Sequence, residues 1–500
     1  MTQRPQPSLL QSLIPILFLI LLLVVNVGIF GSEALGGSNQ IVLILSAGVA
    51  TIVAIRVGFE WEEIQNGIVK SISSAMASIL ILLMIGALAG TWMLSGVVPA
   101  MIYYGLQVLN PTIFLFAACI VCAIVSIATG SSWTTAATVG IALIGIGKAL
   151  GVSEGLVAGA ILSGAYFGDK LSPLSDTTNL APAMAGTDLF THIRYMTITT
   201  VPSISISLLI FLVLGFANGS DGAIAGKQEI LSAISGTFRI TGWLFIVPIV
   251  VVILIVKKMP ALPAILIGTL LGAAFALIFQ SDLVATTAAS ASYDGALLER
   301  FNSISPSMTN GFIGIMQAMF GDSSFITGND VLDDQGLLSS SGMSGMLHTI
   351  WLILSAMIFG GVMEKSGMLK CIAAAIISKV NSIGSLIAST VGTCIFFNGT
   401  ASDQYLAIVV PGRMYADTYR ENGLAPENLS RSLEDSGTVT SVLIPWNTCG
   451  AYHSQVLGVA TGTYLPFCFF NIISPFMTIL IGYSGYKIKK LVKSEQVAST

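Results

Sequence analysis

The chain has 500 residues, a formal net charge of −4, 9% charged residues and 54% hydrophobic residues, with a mean hydropathy of +0.86. Soluble proteins carry roughly 25% charged residues, so too few charges are present here to solvate the surfaces of several soluble domains. The acidic excess is spread over loops and predicts no nucleic-acid partner. This composition indicates an integral membrane protein.

Apolar runs recur from the N-terminus onward, and several approach the ~20 residues that a membrane-spanning helix needs. The clearest are Leu9–Phe30, Ile41–Ile55, Ile79–Leu94, Ile246–Val256 and Pro260–Phe279. The first is long for a cleaved signal peptide, and many similar segments follow it. The sequence therefore predicts an all-α integral membrane protein with about 11–14 transmembrane segments.

The chain contains landmarks that occur twice in the same order, which predicts a first membrane repeat over residues 1–240 and a second over 241–500. Ser95-Gly96 matches Ser366-Gly367, and the further pairs are Gly130 with Gly399, Gly151 with Gly423, and Pro173 with Pro445. The number of residues between matching landmarks increases along the chain, and a polar insertion near 321–341 accounts for the increase. This insertion is predicted to be extracytoplasmic.

Basic residues predict that the repeats have opposite orientations, because Lys and Arg favour cytoplasmic loops. The C-terminal tail carries Lys487, Lys489, Lys490 and Lys493, and Arg4 lies near the N-terminus, so both termini are expected in the cytoplasm. Loops without basic residues in the first repeat correspond to basic loops in the second, such as Lys257-Lys258. Inverted repeats of this kind are found in many alternating-access transporters, whose sites lie where broken helices meet.

Polar segments rich in Gly, Ser and Thr interrupt apolar sequence in the first repeat, and we expect helix breaks at Gly130 and Pro173. Irregular backbone at membrane depth is tolerated only where it is buried in protein or lines an aqueous cavity. Hydroxyl and carboxylate oxygens suit a small hard cation. The candidates are Asp169 and Asp176, with Ser172 and Thr177 as neutral ligands. The alternative for Asp169 is an ion pair with Lys170 or a helix cap, and that for Asp176 is a capping turn.

The second repeat has breaks predicted at Gly399 and Pro445, close to a second group of carboxylates. Asp403 lies between apolar runs, and Glu434-Asp435 precedes another. Ionisable residues inside a membrane are functional candidates by default. The alternative for Glu434 and Asp435 is an ordinary loop ion pair with Arg431 at i+3 or i+4. The cysteines and histidines have no metal-ligand spacing, and we expect Cys119 and Cys122 to pack in the core.

The run Gly168–Pro182, with Ala128–Trp133, Asn398–Gln404 and Pro445–Gly450, resembles the NhaC-type Na+/H+ antiporter family over most of the chain. The resemblance implies Na+ extrusion from the bacterial cytoplasm, driven by H+ entry, without a cofactor. It also implies ion-site roles for several of these residues, with Na+ at Asp176 and Asp403. The full set is Ser172, Thr177, Asp176, Asp403, Asp169, Glu434, Asp435 and Asn447.

Competition between Na+ and H+ for one set of carboxylates would suffice for exchange. The expected partners are Na+, H+ and the lipid bilayer, and a homodimer is possible. The alternative function is a Na+/H+-coupled carrier of a small organic anion or amino acid, such as a malate/lactate exchanger, which the resemblance includes as a related branch. Such a carrier needs a positive group for the substrate carboxylate, for example Arg194 or Arg413. No phosphate-binding loop or hydrolase pattern is present, so an enzyme is not expected, and a passive channel is also disfavoured.

Overall fold

The structure is a computed structural model that describes residues 6–30, 36–108, 110–218, 227–257, 259–291, 293–295, 297–333, 338–378 and 380–491. The predictions that rest on Arg4, Lys258 and Lys493 lie outside the described residues, as does part of the predicted insertion, 334–337.

The first part of the chain folds into eleven helices within the described residues. They are α1 (Leu9–Phe30), α2 (Ser38–Val57), α3 (Trp61–Leu94), α4 (Val97–Val108), α5 (Pro111–Thr129), α6 (Ser132–Thr135), α7 (Ile141–Ala149), α8 (Glu154–Leu171), α9 (Asp176–Ala185), α10 (Leu189–Asn218) and α11 (Lys227–Thr237). Residues Ala136–Gly140 continue α6 into α7 as a π-helical turn.

The second part contains fourteen further helices in the described ranges. They are α12 (Ile246–Val256), α13 (Ala261–Phe279), α14 (Ser281–Ser290), α15 (Leu298–Ile304), α16 (Pro306–Phe320), α17 (Asp330–Asp333), α18 (Leu347–Lys365), α19 (Met368–Ile377), α20 (Ile383–Thr400), α21 (Gln404–Glu421), α22 (Pro426–Leu433), α23 (Thr448–Leu457), α24 (Thr461–Tyr464) and α25 (Phe469–Ser484). Two-residue strands β1 (Ser323–Ser324) and β2 (Ser339–Ser340) pair antiparallel within the predicted insertion.

The fold is that of a multi-pass helical membrane protein. Eight described helices are long and apolar enough to cross a bilayer, and ten spans result if each of two bent helix pairs counts as one. This is fewer than the eleven to fourteen predicted, because helices that break at polar segments do not qualify as continuous spans. Outer helices carry large apolar side chains on their exposed faces, such as Leu10 on α1 and Phe216 on α10, as lipid contact requires.

Helices α3 and α18, which the repeat pattern makes counterparts, pack against each other and run antiparallel. A Cβ at Gly67, near the start of α3, would lie 2.5 Å from Cβ of Lys365, the last residue of α18. A Cβ at Gly86, further along α3, would lie 2.4 Å from the carbonyl oxygen of Gly342, just before α18. Glycine thus allows close helix approach at both ends of the contact, and the corresponding helices point in opposite directions.

Backbone conformation repeats along the chain at a constant separation. Gly130 and Ser402 have φ of 70° and 59°, Gly151 and Gly423 have 70° and 68°, and Gly186 and Gly458 have 86° and 66°. The members of each pair, and likewise Pro173 and Pro445, are separated by the same number of residues. Positive φ is uncommon outside glycine, so this series marks equivalent turns in the two parts of the chain.

Candidate functional site

Two helix breaks of the first part of the chain lie side by side. α5 ends at Thr129, Gly130 takes the left-handed conformation, and the Ser131 hydroxyl accepts a hydrogen bond from the Thr134 amide to begin α6. α8 ends at Leu171 and α9 begins at Asp176, so Pro173 lies in the break as predicted. The Ser172 hydroxyl donates to the Ile127 carbonyl of α5 at 2.8 Å, which holds the two breaks together.

The corresponding break in α20 occurs later than predicted. Gly399 is still helical, α20 continues to Thr400, and the chain leaves the helix at Ala401–Asp403 with Ser402 at φ 59°. The reason is that Ser402, not Gly399, takes the left-handed conformation that Gly130 has in the first part. The Asp403 carboxylate then accepts from the Leu406 amide at 3.0 Å and caps α21.

Pro445 lies in a break as predicted, in the segment between Leu443 and the start of α23 at Thr448. The Asn447 side-chain oxygen accepts from the Cys449 amide at 3.0 Å and caps α23. Its side-chain NH2 donates to the Asn398 carbonyl at 3.0 Å. Asn447 therefore joins the two breaks of the second part, as Ser172 joins those of the first.

A cavity of about 590 Å³, here called the large cavity, reaches the breaks of the first part. Asp169, Asp176 and Thr177 line it together with Gly130 and Pro173. Gln404 and Tyr405, which follow Asp403 at the start of α21, contribute from the second part. Its other lining residues are Ala77, Ile81, Thr129, Ser131, Trp133, Thr134, Leu174, Ser175, Ile255, Met259, Pro260 and Ala261. The predicted convergence of Asp169 and Asp176 on one cavity is present, whereas Asp403 is adjacent through its neighbours rather than itself a lining residue.

The two carboxylates of the large cavity differ in their surroundings. Asp169 is 8% exposed, and its carboxylate accepts hydrogen bonds from the amide (3.0 Å) and the hydroxyl (2.6 Å) of Ser132. Asp176 is exposed at the first position of α9. A carboxylate near a helix N-terminus is stabilised by the helix dipole, so Asp176 is placed to present a negative charge to the cavity.

Glu434 connects the large cavity to the protein interior. It is fully buried in a π-helical turn that continues α22, and its Oε1 accepts from the Thr177 hydroxyl at 3.0 Å. Its Oε2 has no hydrogen-bond partner among the residues that the structure describes. A buried oxygen without a partner is costly, and a proton or a cation bound at this carboxylate would relieve that cost.

Asp435 pairs with Lys170 rather than with Arg431. The Lys170 ammonium and the Asp435 carboxylate form an ion pair with both side chains fully buried. Ser474 of α25 lies 3.0 Å from Lys170 Nζ, and Thr478 donates to the other Asp435 oxygen. The alternative of an ordinary loop pair with Arg431 is therefore wrong, because Arg431 instead lies 4.7 Å from the Tyr195 ring centre. The alternative pairing of Asp169 with Lys170 is also absent.

Three important residues were missed by sequence reasoning. Lys170 was considered only as a neighbour of Asp169, although a lysine within apolar sequence is itself a signal of function or of a buried partner. Trp133 was named only as part of the family resemblance, yet it lines the large cavity and stacks on Tyr452 at a ring-centre distance of 3.8 Å. Tyr405 carried no signal beyond its position after Asp403. Among the described residues, no group of three or more His, Cys, Asp and Glu side chains could hold a metal ion.

Comparison with known proteins gives consistent similarities along the chain. The profile of the Na+/H+ antiporter family matches residues 164–321 and 311–486. The chain is 38% identical to the Malate-2H(+)/Na(+)-lactate antiporter of Bacillus subtilis, over 92% of each chain. It is 37% identical to the Na(+)/H(+) antiporter NhaC of Alkalihalophilus pseudofirmus, over 87% of each. It is 34% identical to the Arginine/ornithine antiporter ArcD of Halobacterium salinarum, over 97% of this chain and 93% of that one.

Proposed function

Because the chain belongs to the Na+/H+ antiporter family, we propose that it exchanges Na+ for H+ across the bacterial cytoplasmic membrane. The observation that carries the proposal is the large cavity, which brings Asp169, Asp176 and Thr177 together at two helix breaks. The family relationship supplies the class of reaction, and the cavity supplies a place where a cation and protons can compete.

The charge of the large cavity favours a cation over an anion. Among the described residues, its lining contains two carboxylates and neither Lys, Arg nor His. The hydroxyls of Ser131, Ser175 and Thr177 add neutral oxygen donors, which hard cations prefer. Na+ that binds at Asp169 and Asp176 displaces protons from the site, and protons that arrive from the other face displace Na+.

The Lys170–Asp435 pair has a separate part in the proposal. It joins α8, which carries Asp169, to the π-helical turn that carries Glu434. In this pair the Lys170 ammonium neutralises the charge of the Asp435 carboxylate. The buried carboxylates of Asp169 and Glu434 have no such partner in the described part of the chain, so protonation or Na+ must neutralise their negative charge. The pair also ties together the two parts of the chain that form the site.

Two inverted copies provide the alternating access that exchange requires. The antiparallel packing of α3 and α18 and the repeated turns, such as Gly130 with Ser402, support this arrangement. The distribution of basic residues supports cytoplasmic termini. With rocking of the copies about the breaks, the site faces one side of the membrane at a time.

An organic-anion exchanger is the second candidate, since similar proteins are named for malate and lactate and for arginine and ornithine. The carboxylates of the large cavity oppose the binding of an anion such as malate. Arg194 and Arg413, the positive groups considered for that role, are exposed and do not line the large cavity. Arg431 is fully buried but is also absent from the lining. Inorganic cation exchange is therefore preferred.

The test uses proteoliposomes that contain only the purified protein and hold a pH gradient. Na+, Li+, K+, malate, lactate, arginine and ornithine are added one at a time, and the collapse of the gradient is recorded. Na+ alone should collapse the gradient with saturation. If the gradient holds until an organic substrate is present, the second candidate replaces Na+/H+ exchange.

A further inference from the structure

A second, smaller cavity lies beside the break that contains Pro445. This small cavity has a volume of about 70 Å³ and is lined by His348, Thr349, Leu352, Pro445, Ala451, Ser454, Gln455 and Thr461. Since roughly 10–15 Å³ of such volume is enough for one water, the small cavity has room for water. None of the residues predicted to bind ions lines it.

Three residues in the lining of the small cavity have counterparts in the lining of the large cavity. The register that aligns Ser95-Gly96 with Ser366-Gly367 also aligns Ala77 with His348 and Ile81 with Leu352. The register of the positive-φ turns aligns Pro173 with Pro445. Ala77, Ile81 and Pro173 line the large cavity, whereas His348, Leu352 and Pro445 line the small one. The small cavity is thus the counterpart of the large cavity in the second part of the chain.

The large cavity opens toward one end of the helix bundle. Met259 and Pro260, in its lining, lie just before α13. The far end of α13 is at Ser95, because Gln280 donates to the Ser95 carbonyl at 3.4 Å. Met259 and Pro260 therefore lie on the side of the large cavity that points away from Ser95.

The small cavity lies toward the other end of the bundle. His348 is exposed and lies in the first turn of α18. Gly342, just before α18, lies against Gly86 of α3. Because Gly86 is in the half of α3 nearer Ser95, α18 starts on the Ser95 side. The antiparallel packing of α3 and α18 hence places counterpart residues at cavities that face opposite ends. Pro445 brings a helix break to the small cavity, as Pro173 does to the large one.

A hydrogen bond between two helices spans the small cavity. The Thr349 hydroxyl of α18 donates to the side-chain oxygen of Gln455 on α23 at 3.0 Å. In the first part of the chain, the turn register aligns Gln455 with Ala183, which has no side chain capable of such a bond.

We propose that the small cavity is the closed second entrance, through which Na+ and H+ reach the broken-helix site from the membrane face opposite the large cavity. This inference rests on the proposed function for the identity of the ions, but not for the existence of the entrance. The Thr349–Gln455 hydrogen bond holds the entrance closed while the large cavity is open. Opening it requires α18 and α23 to separate as the large cavity narrows.

The experiment measures from which face of the membrane each cavity is reached. Cysteine is introduced at Leu174 in the large cavity or at Ser454 in the small one, in full-length protein carrying Cys371→Ser, because the other five native cysteines are buried. Right-side-out and everted vesicles are treated with a membrane-impermeant maleimide. Leu174→Cys should react from one face and Ser454→Cys from the other.

The Thr349→Val substitution removes the spanning hydrogen bond with little change of shape. It should raise labelling of Ser454→Cys several-fold and lower labelling of Leu174→Cys. The matched control is Thr286→Val, since that hydroxyl bonds to the Asp282 carbonyl within α14 and its loss should change neither rate. Leu352→Cys serves as a second reporter of the small cavity.

Two results would overturn the proposal. One is labelling of Leu174→Cys and Ser454→Cys from the same face. The other is that neither Ser454→Cys nor Leu352→Cys reacts in the Thr349→Val protein. Reaction of Leu174→Cys in the same background shows that this protein is folded. If the cysteines are labelled as expected but Na+ does not collapse a pH gradient, the proposal of a second entrance is kept and the proposal of Na+/H+ exchange is rejected.

Discussion

Lys170 and Asp435 form a fully buried ion pair between α8 and the π-helical turn after α22. Each residue is adjacent in sequence to a carboxylate of the candidate site, Lys170 to Asp169 and Asp435 to Glu434. The pair therefore fixes the distance between two elements that approach the large cavity from different parts of the chain. Its energetic role gives the first prediction.

Loss of one partner of this pair should destabilise the protein strongly. Removal of one member of a buried ion pair leaves an uncompensated charge and costs about 3–5 kcal/mol. Lys170→Met and Asp435→Leu should each lower the thermal unfolding midpoint in detergent, whereas the double variant should recover much of the loss because no buried charge remains unpaired. A double variant as unstable as the sum of the single ones would contradict this explanation.

Asp176→Asn should abolish Na+-dependent collapse of a pH gradient while the protein remains folded. The amide keeps the shape of the side chain but can neither carry the negative charge nor exchange a proton for Na+. Asp188→Asn is the matched control, because Asp188 is an exposed carboxylate that caps the next helix through the Thr191 amide. Exchange at the normal rate in Asp176→Asn would remove this residue from the ion site.

Thr177→Val should weaken Na+ binding through Glu434. The hydroxyl of Thr177 donates to Glu434 at 3.0 Å and lines the large cavity. A hydrogen bond to a charged group contributes about 1.5–3 kcal/mol, so the Na+ concentration for half-maximal exchange should rise roughly tenfold or more. Thr177→Ser keeps the hydroxyl and should stay near the wild-type value. An equal effect of both substitutions would indicate a packing role instead.

Asn447→Ala should reduce stability more than it changes ion affinity. Asn447 caps α23 and binds the Asn398 carbonyl, and loss of a cap alone costs about 1 kcal/mol. The expected result is a lower unfolding midpoint with a nearly unchanged Na+ concentration for half-maximal exchange. A large increase in that concentration without loss of stability would instead make Asn447 an ion ligand, as the family resemblance implies.

Asp333, in the predicted insertion, should make the turn at Thr327–Asn329 sensitive to acid. Burial acts to raise its pKa, but hydrogen bonds from Thr327, Gly328 and Asn329 outweigh this, and the pKa is lowered. A lowered pKa in the folded state stabilises the turn above the unfolded pKa of about 3.9, and this stability is lost as the pH falls through the folded pKa. Protection of the Thr327 and Gly328 amides, measured as exchange relative to the unstructured peptide at the same pH, should be present near neutral pH, lost in strong acid, and low throughout in Asp333→Asn.

Features set by local chemistry were predictable from the sequence. Leu9–Phe30 has the length and composition of a membrane span and forms α1. Gly130 and Pro173 interrupt helices because one takes positive φ readily and the other cannot continue the backbone hydrogen bonds. The carboxylates of Asp169 and Asp176 meet in one cavity because the break after Leu171 is short.

Features set by distant contacts were not predictable. The left-handed conformation of Ser402 moves a break away from Gly399, and no local rule selects serine for it. The partner of Asp435 is remote in sequence, so proximity favoured Arg431 over Lys170. The apolar sequence around Asp403 gave no sign that one of its carboxylate oxygens caps α21, and its predicted role as an ion ligand stays a prediction.

The most direct test of Na+/H+ exchange is uptake of radioactive Na+ by acid-loaded proteoliposomes that contain only this protein. An outward proton gradient alone should drive Na+ accumulation above its equilibrium level. The accumulation should disappear when the gradient is abolished and in the Asp176→Asn protein. Na+ entry that merely equilibrates, at the same rate with and without the gradient, would contradict coupled exchange.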